Sequence, residues 1–191
     1  APYAKSGGLG DVMEALPAAL ARIEGNEVAL FLPYYNKIKT NEKYPVELVA
    51  QFRVPLGWRQ QYCGVRKLLN RADGVQVYFI DNLYYFGGRS GAIYGDMDDG
   101  ERFAFFSKAA INIIYMIDFK PDVIHANDWQ TALTPVYYSA MYANSPGYEN
   151  IKTIFTIHNI EYQGKMPNAF MEDVIGIDAY WRNILTYDNC I

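Results

Sequence analysis

Two stretches of the chain carry apolar residues at the spacing of an amphipathic helix. The first lies between Asp11 and Gly25, residues suited to begin and end a helix, and the second runs from Glu101 to about Asp118. The apolar positions are Val12, Leu16, Ala19, Leu20 and Ile23 in the first stretch, and Phe103, Phe106, Ala110, Ile113 and Ile117 in the second. Each pattern predicts a helix with one face packed against a core.

Strand patterns accompany these helices. The apolar run EVALFLP predicts a short buried strand, the alternating stretch 45–57 predicts a half-exposed strand, and CGVRKLLN and VQVYFI on either side of RADG predict a β-hairpin. Farther along, DVIHA predicts a short strand before another helix, and IKTIFTI predicts a buried strand. Strands that alternate with helices predict a single α/β domain with a Rossmann-like, mostly parallel sheet flanked by helices.

Composition and charge narrow the classes of function. The 191 residues are 51% hydrophobic and 20% charged, with a net charge of -4, so we expect no nucleic-acid partner. No apolar run approaches the roughly 20 residues of a membrane span, so we expect no membrane partner. Cys63 and Cys190 show neither a disulfide framework nor a zinc pattern, which predicts a reducing compartment such as the cytoplasm.

Aromatic residues make up 16% of the chain, an unusually high share. A core rich in aromatic rings and a surface whose rings stack on sugars are both compatible with this content. Composition alone does not separate the two interpretations.

Both histidines of the chain fall where a strand is predicted to end. His125 is followed by Asn127 and Asp128, and His158 is followed directly by Asn159. Ligands of open α/β sheets bind outside the carboxyl ends of the strands, which makes these polar side chains candidates for a site. Hydrogen-bonded structural roles remain the alternative, particularly for His125, which we expect to brace Asp128.

The stretch KSGGLGDV places a lysine and three glycines directly before a predicted helix. Glycines allow close approach of the backbone to a ligand, and a helix N-terminus favours an anion, to which Lys5 adds a full positive charge. Neither the P-loop pattern nor the dinucleotide-binding glycine pattern is present. An anion site and an ordinary glycine turn are therefore both open on these residues alone.

A D-x-D pattern, Asp96 and Asp98, precedes the second long helix. Such a pattern holds a divalent cation in some glycosyltransferases, but acidic residues also suit the start of a helix. We favour the structural role and predict no metal site.

Five motifs occur together in order: KSGGLGDV, EVALFLPYYNKI, GERFAFFSKAA, PDVIHANDWQTAL and TIHNIEYQG. With them the chain closely resembles, over essentially its whole length, the N-terminal catalytic domain of glycosyltransferase family 5, the bacterial glycogen synthases and plant starch synthases. The resemblance implies the GT-B architecture of two Rossmann-like domains. It also implies transfer of glucose from ADP-glucose to the nonreducing 4-hydroxyl of an α-1,4-glucan, with retention of configuration and without a cofactor or metal.

The resemblance also implies roles for single residues. His158 corresponds to a histidine that contacts the donor sugar near the reacting carbon, and Asp128 to an aspartate that lines the active site, which makes these two the predicted catalytic residues. The predicted substrate-binding residues are Lys5, Gly7, Gly8, Asp11, Tyr94 and Asn159. Ser6 replaces the usual threonine of the lysine-glycine motif and keeps its hydroxyl.

Relative to the family, the chain lacks the first strand and the whole C-terminal GT-B domain, so we expect residues 1–191 to be an N-terminal catalytic domain truncated at both ends and inactive alone. The expected partners are ADP-glucose, the glucan acceptor and that C-terminal domain. The expected compartment is the cytoplasm, or the plastid if the source is a plant. Three alternatives remain: a noncatalytic α-glucan-binding module, a GT-B transferase for another nucleotide sugar, and a nicotinamide oxidoreductase, which the missing glycine pattern disfavours.

Overall fold

Helices and strands alternate along the chain, as the apolar pattern predicts. The computed structural model of the protein describes residues 3–5, 7–117 and 119–191. Its helices are α1 (Gly8–Ala21), α2 (Asn36–Lys39), α3 (Asp99–Ile113), α4 (Leu133–Tyr137) and α5 (Arg182–Leu185). Its strands are β1 (Val28–Pro33), β2 (Val46–Leu56), β3 (Arg59–Leu68), β4 (Val75–Asp81), β5 (Val123–Asn127) and β6 (Lys152–Thr156). The α/β class is confirmed.

The chain divides into two compact units, one with the residues up to 52 and 62–96, the other with 53–61 and 97–191. The four-stranded sheet has the order β1-β4-β3-β2, with β1 parallel to β4. β3 runs antiparallel to β4, with Val65 opposite Ile80, which confirms the hairpin predicted around RADG. β1 was expected to be buried, but it is half-buried along most of its length, because among the described residues β4 is its only neighbour in the sheet.

Helix α1 begins one turn earlier than the sequence pattern indicates. It starts at Gly8, with Gly7 before it, so Asp11 lies in the first turn of the helix and does not cap it. The helix ends at Ala21, and Pro17 is buried inside it. The core of the first unit includes Tyr3, Tyr34, Ile38, Leu68, Val75, Val77 and Phe79.

In the second unit, β5 and β6 form a parallel pair joined through α4, as in a βαβ unit. Helix α3 ends at Ile113, five residues before Asp118, which lies outside the described residues. Of the predicted apolar stripe, Phe103, Phe106 and Ile113 are buried, whereas Ile117 lies beyond the helix; burial is not confined to this stripe, since Arg102, Ser107 and Lys108 are buried too. β6 was expected to be buried, but most of its residues are exposed, because β5 is its only neighbour within the described residues.

Tyrosines contribute to the core of the second unit, and their hydroxyls bind backbone carbonyls. The hydroxyl of Tyr138 donates to the carbonyl oxygens of Tyr148 (2.8 Å) and Ile151 (3.0 Å), and that of Tyr148 donates to the carbonyl of Ile111 (2.9 Å). Because these hydrogen bonds satisfy hydroxyls that burial removes from water, tyrosine can replace phenylalanine inside. Packing therefore accounts for part of the high aromatic content.

No described helix has the length and apolar character needed to cross a bilayer.

Candidate active site

The glycine loop before α1 leaves the helix N-terminus open. Gly7 has φ 150°, a value that residues other than glycine rarely adopt, and as the N-cap residue it offers no side chain to cap α1. A Cβ atom built on Gly7 or Gly8 would have no described heavy atom within 4 Å, so packing does not explain the choice of glycine at these positions. The bare backbone at the start of α1 and the partial positive charge of the helix N-terminus suit the binding of an anion.

Lys5 is held beside this helix start by an ion pair. Its Nζ lies 2.5 Å from Oδ1 of Asp11, and both side chains remain about half exposed, at 49% and 60%. An exposed pair of this kind adds little stability, so it leaves the ammonium accessible to a ligand. Lys5, Gly7, Gly8 and Asp11 thus lie together at the start of α1, whereas Ser6 lies outside the described residues.

In the second unit, the ends of β5 and β6 lie side by side. Asn127 is opposite Thr156 in the parallel register, and the chain turns immediately after each of them. The N–H of Asp128 donates to the carbonyl of Thr156 (2.9 Å), which ties the turn after β5 to the end of β6. This register explains why Asp128 and His158 lie close together, as the sequence predicts.

Asp128 turns its carboxylate inward, toward the backbone of the neighbouring loop. Oδ1 accepts hydrogen bonds from the N–H groups of His158 (2.6 Å) and Asn159 (3.2 Å), and only 7% of the residue is exposed. Its backbone has φ 56° and ψ 176°, a combination that costs a non-glycine residue about 1–3 kcal/mol. Asp128 therefore shapes the loop that carries His158, and this carboxylate oxygen is already engaged.

The ring of His158 is oriented by a second residue from the end of β5. Nε2 of His158 lies 2.9 Å from Oδ1 of Asn127, and the residue is otherwise exposed. The amide nitrogen of Asn127 donates to the carbonyl of His125 (3.2 Å). His158 is thus a solvent-facing imidazole whose backbone and ring are each held by one hydrogen bond.

His125 does not brace Asp128. Its Nε2 is 2.7 Å from Oγ1 of Thr156, across the β5–β6 pair. Burial, and to a smaller extent the neighbouring His158, lower the pKa of His125 below its ordinary value. The neutral ring is therefore favoured at this position.

Two further predicted residues lie on loops. Asn159 is exposed, and its Oδ1 accepts from the N–H of Glu161 (3.1 Å), so its amide also stabilises the loop after β6. Tyr94 is half-buried in the irregular segment between β4 and α3. The acidic residues near it have guanidinium partners: Asp96 pairs with Arg89 (3.0 Å), and Asp99 pairs with Arg102 (2.6 Å).

The sequence interpretation assigned no role to two residues that support this loop, Thr131 and Gly164. Thr131 accepts from the N–H of Asn127 (2.5 Å) and donates to its carbonyl (2.8 Å), which closes the turn after β5. Gly164 has φ 62°, and a Cβ there would lie 2.3 Å from the ring of Trp129. Asn127 was named as a candidate, but its position between the two histidines could be inferred only from the paired register.

Comparisons with known proteins agree with this description. A family model described as the starch synthase catalytic domain matches residues 1–191. Glycogen synthases from Streptococcus pneumoniae strains ATCC 700669 and JJA are each 45% identical over 193 residues, an alignment that covers 100% of this chain and 39% of each relative. The chain therefore spans about two fifths of the length of these relatives.

A solved structure also matches, that of the catalytic domain of starch synthase IV from Arabidopsis thaliana bound to ADP and acarbose. Its TM-score is 0.82 at 32% identity, with 98% of this chain and 37% of that one covered. The sequence comparisons and the structure comparison both match glycogen and starch synthases. The chain belongs to the starch synthase catalytic domain family.

Proposed function

We propose that residues 1–191 form the N-terminal, donor-binding domain of a glucosyltransferase that transfers glucose from ADP-glucose to the nonreducing 4-hydroxyl of an α-1,4-glucan, with retention of configuration. The family membership and the glycogen synthase relatives support this activity. ADP and acarbose in the related starch synthase structure support a nucleotide and an α-glucan as ligands. Because the chain spans 39% of its relatives, the proposal includes a C-terminal GT-B domain as an essential partner.

The open start of α1 is the observation that carries the proposal. A helix start whose N-cap residue is a glycine, two glycines without a packing role and an accessible ammonium are the components of a diphosphate site. Lys5 has three N–H donors, so it can keep Asp11 and bind a phosphate oxygen at the same time. Asp11 would then orient the lysine.

The proposed reaction needs stabilisation of the leaving group. The bond between C1 of glucose and the diphosphate breaks, a bond from C1 to the acceptor oxygen forms, and the acceptor proton passes to ADP or solvent. Negative charge develops on the diphosphate, where Lys5 and the N-terminus of α1 would stabilise it. We assign His158 to the donor sugar, while Asp128 and Asn159 hold the loop that presents it.

We also place the protein in the cytoplasm. The glycogen synthases named above are bacterial, and both cysteines are unpaired, as a reducing compartment favours.

The proposal is tested with the full-length protein, glycogen and either ADP-glucose or UDP-glucose, with release of nucleoside diphosphate as the readout. We expect transfer from ADP-glucose and much slower transfer from UDP-glucose. Faster use of UDP-glucose would support a transferase for another nucleotide sugar. Retention of glycogen without transfer from either donor would support a noncatalytic glucan-binding module.

A further inference from the structure

We propose that Asn127 is a positioning residue that fixes His158 in the tautomer protonated on Nε2, so that Nδ1 is the ring atom offered to the ligand as a hydrogen-bond acceptor. This inference rests on the proposed function for the identity of the ligand, but the state of the ring can be measured without it. Asn127 acts here through His158 and has no assigned contact with substrate.

The orientation of the Asn127 amide follows from its own partners. Its nitrogen lies 3.2 Å from the carbonyl oxygen of His125, which can only accept, so the amide group must place its NH₂ there. The amide oxygen then faces Nε2 of His158 at 2.9 Å. The reverse orientation would set two oxygens against each other.

The amide is also held firmly in place. Asn127 is 8% exposed, it ends β5 opposite Thr156, and its backbone N–H and carbonyl both bind the hydroxyl of Thr131. A buried amide on a doubly anchored backbone, with its own bond to the carbonyl of His125, loses little freedom when it binds the ring. It therefore determines the hydrogen-bonding state of the histidine rather than adapting to it.

The chemistry of the two partners determines the tautomer. An amide oxygen has no proton to donate, so Nε2 of His158 must carry one, and the neutral ring then keeps its lone pair on Nδ1. Within the described residues, Nδ1 has no hydrogen-bond partner, and His158 is exposed. A neutral Nδ1 accepts from the hydroxyls of a sugar but offers nothing to a phosphate oxygen. The geometry therefore directs His158 toward the glucosyl part of the donor.

Asn127 is not needed to hold the loop backbone, because Asp128 already binds the N–H groups of His158 and Asn159. The bond from Asn127 acts on the ring alone. This separation makes the proposed role distinguishable from a general structural one.

The test is the ¹⁵N signature of the His158 ring in the full-length protein, assigned by its loss in His158→Gln. We expect the wild type to show a protonated Nε2 and an unprotonated Nδ1 at neutral pH. Asn127→Leu removes the acceptor at similar volume, so the two tautomers should mix. Asn127→Asp keeps an acceptor oxygen and should preserve the proton on Nε2, which a merely structural role of the amide would not do. Its second oxygen faces the carbonyl of His125, so this variant should also have a lower Tm.

Thr156→Val is the matched control, because it removes the hydroxyl bound to His125 from the same strand ends and leaves the Asn127 bond intact. We expect it to keep the His158 tautomer. In Asn127→Leu, kcat/KM for ADP-glucose should fall about 3–10-fold, the value of one neutral hydrogen bond. A wild-type ring protonated on Nδ1, or an unchanged tautomer in Asn127→Leu, would overturn the proposal.

These results are independent of the proposed function. If the wild-type protein transfers no glucose from ADP-glucose, the assigned reaction is wrong, yet the ring spectra still decide the role of Asn127.

Discussion

Replacing Asp128 by glycine should destabilise the protein less than replacing it by alanine. Both changes remove the carboxylate that accepts from two N–H groups at 2.6 and 3.2 Å, a loss of about 1.5–3 kcal/mol for hydrogen bonds to a charged group. Only glycine relieves the backbone at φ 56° and ψ 176°, which costs other residues about 1–3 kcal/mol.

Glycine also makes the unfolded chain more flexible, which offsets about 0.4–1 kcal/mol of the stability gained by relieving the backbone at residue 128. The difference between the two variants should therefore be roughly 0.5–2 kcal/mol in favour of glycine. For a domain of this size, 1 kcal/mol corresponds to about 2–4 °C in Tm. Asp128→Asn keeps an acceptor oxygen and should be the most stable of the three variants.

Thermal unfolding, followed by circular dichroism, measures this order. Asp122 provides the control, because it is exposed just before β5 and does not have a positive φ. There the usual order should hold, with glycine less stable than alanine. An Asp128→Ala protein that melts at or above Asp128→Gly would show that the backbone at this position is not strained.

Three further predictions concern other parts of the chain. Lys5→Ala should lower kcat/KM for ADP-glucose about 10–100-fold, and Lys5→Gln by a similar factor, because both lose a charge-assisted contact. Tm should hardly change, since the ion pair with Asp11 is exposed, and unaltered kinetics would make the glycine loop purely structural. Gly164→Ala should destabilise the protein by roughly 2–4 kcal/mol, because the new methyl group would overlap the Trp129 ring and alanine is strained at φ 62°. Thermal unfolding measures this loss, and an unchanged Tm would contradict the packing of Gly164 against Trp129. Because the pKa of His125 is lower in the folded protein, the unfolded chain binds more protons just below pH 6.5, and Tm should fall as the pH drops from 7 to 5. His125→Gln should weaken this decline in Tm, and an identical pH profile would exclude His125 as its source.

The sequence predicts that β5 and β6 exist because the relevant signals are local, but it places the end of β5 too early: His125 lies inside the strand, which continues to Asn127. The short apolar runs that precede HAND and HNIE indicate β5 and β6, and a parallel pair brings its carboxyl ends together. The neighbourhood of Asp128 and His158 could therefore be predicted without coordinates.

Other features depend on contacts that a sequence pattern does not contain. The early start of α1 at Gly8 contradicts helix propensity, since glycine is a poor helix former, so the sequence favours a start at Asp11. The inward carboxylate of Asp128 depends on a positive φ at a residue that rarely adopts one. The residues 125–128 do not by themselves indicate a positive φ at Asp128.

The two residues at the end of β5 constrain different degrees of freedom of His158. Asp128 holds its backbone N–H, whereas Asn127 holds its ring nitrogen. Substitutions of Asp128 should therefore change loop position and stability together, because strain and hydrogen bonds both lie in the backbone. Substitutions of Asn127 should instead change which ring atom is offered to the ligand. A histidine that is fixed at both levels is preorganised, so it can contact the donor without the entropy cost of ordering a free side chain.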